Sequence, residues 1–383
     1  MAISAPPRDV LLYAAPNTNA DMLWFSRFQA GDPLLAFTAK GKKIGAVSLL
    51  EVTRAQKESS LDVVLDIHAL LAEVRKGNPK AGISDVVAKL AAQYGVKAFS
   101  VPPDFPASLY KRAVEQGVQL EIVGEAPFFP KRVVKTPDEL EGIRGGNRAS
   151  SAGFSAVEKI LAASEIRGGW LWFEKKKLTS ERLHAAINQA CLAAGALNVT
   201  GLIAAAGDQA VDCHASGYGP IPANQLIVVD IFPRVSATGY FGDMTRTYLK
   251  GKASPEQKRL VKTVREAQQL AFTHIKPGVP GINVYRDVVA FFEAQGYKTG
   301  FNEKTGYQEG FFHGLGHGLG LDVHEEPGLN RFGKKPLVAG NVVTVEPGLY
   351  YIGVGGCRIE DVVVVTADGC ELLSKHPYRW EIA

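Results

Sequence analysis

Two β-forming runs in this chain each end in an acid and return through a second one. Residues 226–229 lead into Asp230 and come back through Asp243, while residues 342–345 lead into Glu346 and come back through Glu360. Strand interiors favour β-branched and apolar side chains, so an acid in such a place needs a physical reason. Antiparallel partners keep a constant index sum. Pairing 230 with 243 centres a turn between Ser236 and Ala237, and pairing 346 with 360 centres one on Gly353, both in turn-forming sequence. Opposed residues share a sheet face with Cβ atoms about 5 Å apart. Two carboxylates so placed repel unless a proton or a cation sits between them. One acid at a strand end is ordinary; two hairpins repeating the arrangement predict a cation site.

The segment His313-Gly-Leu-Gly-His317-Gly-Leu-Gly-Leu-Asp-Val-His324-Glu325 holds three of the eight histidines of the chain. Its glycines at 314, 316, 318 and 320 allow close backbone approach. Carboxylates alone suit hard ions such as Mn²⁺, Mg²⁺ or Zn²⁺, and an added imidazole moves the choice towards Mn, Co, Zn or Fe. The HExxH zinc pattern does not apply, because His324 is followed by Glu-Glu-Pro-Gly.

At 383 residues the chain has room for two or three domains of about 150 residues each. Short apolar runs at 10–15, 34–38, 44–50, 63–67, 98–101 and 120–123 read as strands, with helical spacing at 84–94 and 106–116. This alternation predicts an α/β domain over residues 1–130 with a partly parallel sheet. Residues 127–138 carry three prolines and read as a linker. Thr136 with Glu139 forms a capping box opening a long helix, so a second domain is expected over 136–383. Helices are expected near 180–194 and 255–275. A weak internal repeat of hairpin plus helix runs through the second half, and residues 168–177, with two tryptophans, fit no element. A net charge of +4 with scattered basic residues argues against nucleic acid. Four well-separated cysteines and the lack of an 18-residue apolar stretch predict a cytoplasmic protein with no membrane span.

The segment from His313 to Glu325 resembles the signature of Xaa-Pro dipeptidases and aminopeptidases P, and that of methionine aminopeptidases less well. In the order Asp230, Asp243, His317, Glu346, Glu360 the chain is similar to the five-ligand set of the pita-bread metallopeptidases (family M24), over roughly residues 136–383. The resemblance implies an α/β (α+β) protein, a C-terminal pita-bread catalytic domain behind a smaller creatinase-like N-terminal domain. It implies two divalent metal ions, manganese first with cobalt or zinc as alternatives. Asp243 and Glu360 would bridge them, Asp230 completing one site and His317 with Glu346 the other. Glu346 is then the expected general base, His324 a donor to the tetrahedral intermediate, and His313 with His214 the shapers of a proline pocket. Arg358, on the same strand face as Glu360, would bind the substrate carboxylate or form a structural ion pair.

The expected reaction is prolidase-like hydrolysis of Xaa-Pro bonds in dipeptides or short peptides. The alternatives are an aminopeptidase P for longer Xaa-Pro-Yaa peptides, a methionine aminopeptidase, or a pita-bread module that binds partners without catalysis. The family's habit of pairing implies a homodimer in which residues 1–130 help close the partner's site, with Trp24 and Phe25 as candidate lid aromatics. The chain departs from the family pattern at Phe232 and Pro233, where glycine and a small residue are usual, and at Gly242, where serine is common.

Overall fold

The computed structural model describes residues 9–124 and 127–382, so the first eight residues of the expected N-terminal domain lie outside the described residues. The chain divides into two compact units, Met1–Arg132 and Val133–Ala383.

In the first unit six strands form one mixed sheet, in the order Val63–Asp66, Lys42–Val47, Leu34–Ala39, Asp9–Ala14, Ala98–Val101, Gln119–Ile122. The Asp9–Ala14, Ala98–Val101 and Gln119–Ile122 strands run parallel, as do Lys42–Val47 and Val63–Asp66, while the central pairings are antiparallel. The strand Leu34–Ala39 shows why the sheet needs cover on both faces. Leu35, Phe37 and Ala39 enter one apolar cluster with Val86, Val87 and Leu90 of helix Ile83–Tyr94, whereas Leu34 and Ala36 enter another with Met22 and Phe25. Phe25 is thus core, and Trp24 packs on Phe129 with ring centroids 5.0 Å apart, so both candidate lid aromatics are used within their own unit.

Three helices of this unit escaped the sequence reading: Ala20–Ser26, Val52–Glu58 and Ile67–Gly77. Two have only seven residues, too few for a periodic signal; the mark of the first is its cap, Met22 N–H donating to Asn19 Oδ1 at 2.8 Å. The third has no fully buried residue and follows a strand directly, so its apolar start reads as more strand. The expected strand at 44–50 stops at Val47, and Leu49 and Leu50 lie in an exposed helical turn.

The second unit repeats one theme. A four-stranded sheet (Ile203–Ala206, Leu226–Ile231, Met244–Lys250, Glu381–Ile382) is covered by helices Pro137–Ala163 and Ser180–Ala193. A five-stranded sheet (Glu325–Leu329, Gly316–Gly318, Val342–Val345, Asp361–Val365, Cys370–Leu372) is covered by Pro255–His274 and Gly281–Ala294. The capping box is present, with Thr136 N–H donating to Glu139 Oε2 at 2.8 Å. Residues 168–177 fall in a small meander, Glu165–Arg167, Trp170–Phe173 and Lys176–Lys177, with Lys177 over the Trp170 ring.

A buried polar knot ties the two sheets together. Arg246 donates to Asp361 Oδ1 at 2.9 Å and to the Glu360 carbonyl at 2.7 Å, and Gln268 and Ser374 also donate to Asp361. Both members of the ion pair are almost fully enclosed, so deleting one strands the other. Arg246→Met is expected to cost about 3–5 kcal/mol in urea denaturation; a loss below about 1 kcal/mol would contradict this account.

Candidate metal centre

The two hairpins hold their acids differently. In the second, Val345 pairs with Asp361 and Gly348 with Arg358, so the register expected from the sequence is kept on both sides of Glu346 and Glu360. Those two acids fall in the gap between the ladders, because Glu360 N–H turns aside to donate to Thr245 O at 3.0 Å. In the first hairpin the expected direct opposition of 230 and 243 is wrong. Asp230 faces Thr245 and Ile231 faces Met244, so the turn is centred one residue later, between Ala237 and Thr238. Gly239, at φ 78°, closes that turn through its N–H to Val235 O. The shift in pairing is two residues, which preserves the face: Asp243 becomes the diagonal neighbour of Asp230.

Asp243 is fixed from behind. Its N–H donates to Asn147 Oδ1 at 2.9 Å, and Asn147 sits on helix Pro137–Ala163. That helix approaches so closely that a Cβ on Gly146 would lie 2.1 Å from Gly242 N, and one on Gly242 would lie 2.1 Å from the Gly146 carbonyl carbon. The glycine at 242, in place of the family's usual serine, is therefore a packing necessity here.

Four of the five expected ligands converge closely. His317 Nε2 lies 3.6 Å from Asp243 Oδ2 and 3.3 Å from Glu346 Oε1. Donor atoms of Asp243, His317 and Glu360 all lie within 4.8 Å of one another. The His317 Nδ1–H is directed at the Gly318 carbonyl (3.1 Å), which leaves the Nε2 lone pair for the carboxylate cluster. Thr245 Oγ1 donates to Glu360 Oε2 at 2.7 Å and Thr344 Oγ1 to Glu346 Oε1 at 3.2 Å, fixing the acids. Asp230, the fifth, is held through one oxygen by Arg358 at 2.7 Å, while its other oxygen is buried without a hydrogen-bond partner.

Electrostatically this is a strained group. Burial first, then the negative charge of neighbouring carboxylates, holds Asp243 and Glu360 well above the usual carboxylate range. Burial likewise pushes Glu346 up to about 7. The imidazoles move the other way: His317 is lowered by burial, and His313 is lowered to about 3 by burial and by the charge on Arg358. An orphaned buried oxygen, two acids forced towards neutrality by burial and by neighbouring carboxylates, and a neutral imidazole with its lone pair turned inward suit divalent metal binding.

The remaining candidates surround this group. The His324 ring is exposed and meets His317 edge to face at 4.3 Å. His313 Nε2 accepts from the Tyr350 hydroxyl at 3.0 Å, with its Nδ1–H on the Gly314 carbonyl. His214 is exposed on a loop near His313 and His324. Arg358 is enclosed: besides Asp230 it donates to Thr245 Oγ1, Tyr350 Oη and the Cys213 carbonyl. Its guanidinium is spent on the protein, which favours the ion-pair reading over carboxylate capture. Thr245, Thr344, Asn147 and Tyr350 all escaped the sequence reading, because nothing in their neighbouring sequence marks them.

This assembly of carboxylates and imidazole on paired sheets is that of a metallopeptidase. Residues 141–367 match the model of metallopeptidase family M24, and the chain belongs to that family. It is similar to the "Probable dipeptidase PepE" of Mycobacterium tuberculosis, at 31% identity over 253 residues, covering 65% of this chain and 60% of that protein. It is also similar to the Xaa-Pro dipeptidase of Pyrococcus horikoshii, at 35% identity over 158 residues, 40% of this chain and 41% of that one. The matched stretches therefore span well under two thirds of these relatives' lengths. Among solved structures, the Xaa-Pro dipeptidase of Bacillus anthracis superposes with a TM-score of 0.81 at 24% identity, over 98% of this chain and 95% of that one. The X-Pro aminopeptidase of Thermotoga maritima gives 0.80 at 24% identity, over 98% and 97%. Both likenesses establish the fold.

Proposed function

We propose that this protein hydrolyses the peptide bond before proline in dipeptides or short peptides, with two divalent metal ions as cofactors. The observation that carries the reading is the buried cluster of Asp243, His317, Glu346 and Glu360, with the unpartnered oxygen of Asp230. Asp230, Asp243, His317, Glu346 and Glu360 would hold the ions. When bound, such a pair supplies Lewis acidity and a more acidic water.

The side chains do the rest. Glu346, held by burial at about 7, takes the proton of the attacking water and delivers it to the imide nitrogen of the leaving proline. His324, exposed beside His317, donates to the carbonyl oxygen as negative charge develops there. His313, oriented by Tyr350 and Gly314, and His214 flank the proline ring. Arg358 positions Asp230 and Tyr350.

The proposal extends to manganese as the preferred ion, to a homodimer and to the cytosol. Mixed carboxylate and imidazole donors suit manganese, and the four cysteines are all free thiols. No helix among the described residues is long and apolar enough to cross a membrane. The dimer is tested by light scattering, which should give twice the 41.2 kDa chain mass.

The deciding assay measures proline release from Leu-Pro and Gly-Pro against cleavage of Xaa-Pro-Yaa tripeptides, each with Mn²⁺, Co²⁺ and Zn²⁺. Dipeptide turnover supports the reading, faster tripeptide turnover shifts it to an aminopeptidase P, and turnover of neither with any ion overturns it. His324→Ala is expected to lower kcat by about 10²-fold with metal content unchanged; loss of both ions in elemental analysis would make it a ligand instead.

A further inference from the structure

Along the strand Met244–Lys250, Thr245 turns to Glu360 while Arg246, next in sequence, turns to the other side. There it lines a cavity of about 170 Å³. Five of the ten lining residues are cationic, namely Arg246, Lys258, Lys262, Arg265 and Arg379, and none is acidic. The others are Thr247 and an apolar set that includes Tyr378 and Trp380.

The charge there is poorly compensated. Lys258 and Lys262 have only exposed partners, Glu381 at 3.8 Å and Glu266 at 3.7 Å, and such pairs are weak. Among the described residues no carboxylate pairs with Arg265 or Arg379. The Arg246 and Arg265 guanidiniums lie 4.4 and 3.5 Å from the Tyr378 ring centroid. Arg246 is paired with Asp361, yet its Nε–H is buried and has no acceptor. Arg246 is thus enclosed, and the charge open to the cavity lies on Arg265 and Arg379.

We propose that this cavity binds a small aromatic carboxylate, its head on Arg265 and Arg379 and its ring against Tyr378 and Trp380. The volume is close to the ~150 Å³ that holds a benzene ring and well below the ~300 Å³ at which drug-sized pockets begin. Free amino acids are excluded by the same charges, since their ammonium group would meet five cations. The site is thereby distinct in chemistry from the centre that would handle peptides. It touches that centre through Arg246, which donates to the Glu360 carbonyl, and through Thr247, which donates to the Arg358 carbonyl.

The test is calorimetric titration of benzoate into the metal-loaded protein and into its Asp243→Asn variant, whose disabled metal site removes the competing carboxylate receptor. One saturable site per chain is expected in the variant, with phenylalanine at least about tenfold weaker there, and the metal-loaded protein should show the same site beside any benzoate held at its metal centre. The double substitution Arg265→Gln, Arg379→Ala should weaken benzoate at least about tenfold, the scale of losing one charge-assisted hydrogen bond. Arg379→Ala alone, at an exposed position, should weaken it measurably if the double variant does not fold. Undiminished benzoate affinity in the foldable variant, or phenylalanine binding as tightly as benzoate, overturns the proposal. Neither outcome depends on whether the chain cleaves peptides.

Discussion

Metal-free protein carrying Asp243→Asn should melt at a higher temperature than metal-free wild type, and added Mn²⁺ should raise its melting temperature little or not at all. Asp243 is 3% exposed and lies among acids whose charge, with burial, drives its carboxyl well above the usual range. A group with a raised folded pKa contributes stability that is complete below its unfolded pKa and is lost as pH rises through the folded value. In the metal-free protein the carboxylate therefore destabilises increasingly towards alkaline pH, and the neutral amide removes that penalty. The stabilising effect of the substitution should be larger at pH 8 than at pH 5. Wild type, in contrast, should gain about 2.7 kcal/mol from a metal site filled at a hundredfold excess over Kd. A variant that is less stable than metal-free wild type at pH 8, or that still gains a full metal shift, would refute the cation-bridging role.

Glu346→Gln should reduce kcat by about 10²–10⁴-fold on Leu-Pro, the range of a general base. Glu346 is also a proposed ligand, so metal content must be read alongside. Asp243, Glu360 and His317 remain to hold an ion, and the glutamine oxygen can still accept from Thr344, which donates to Glu346 at 3.2 Å. The fold should persist, because glutamine is isosteric and Glu346 has only modest contacts of this kind. A variant keeping more than about a tenth of wild-type kcat with its metal in place would remove Glu346 from the proton-transfer role.

The acids were legible because a strand that buries both faces has no ordinary use for a carboxylate, and their index sums located both turns to within a residue. The second hairpin kept the expected register because the chain between Tyr351 and Gly355 turns at Gly353, at φ 82°. The first did not, since its turn is set by Gly239 and not by the symmetry of the two acids about it. What stayed hidden is tertiary: Thr245 reaching Glu360 spans 115 positions and Asn147 reaching Asp243 spans 96, and no local pattern marks such partners. Arg358 looked equally suited to substrate or to protein until its four acceptors were visible. The two seven-residue helices of the first unit were lost because they are too short to carry a periodic signal.

The Gly146–Gly242 crossing makes these two positions a single inherited unit. Neither can take a methyl group while the other's backbone stays where it is. A relative with serine at the position of Gly242 must therefore seat the long helix further out or route the strand differently. Transplanting that serine alone would move Asn147 away from Asp243 and so loosen a metal ligand from a site that never touches metal. Chimeras across this family should be cut so that the helix and the strand come from one parent.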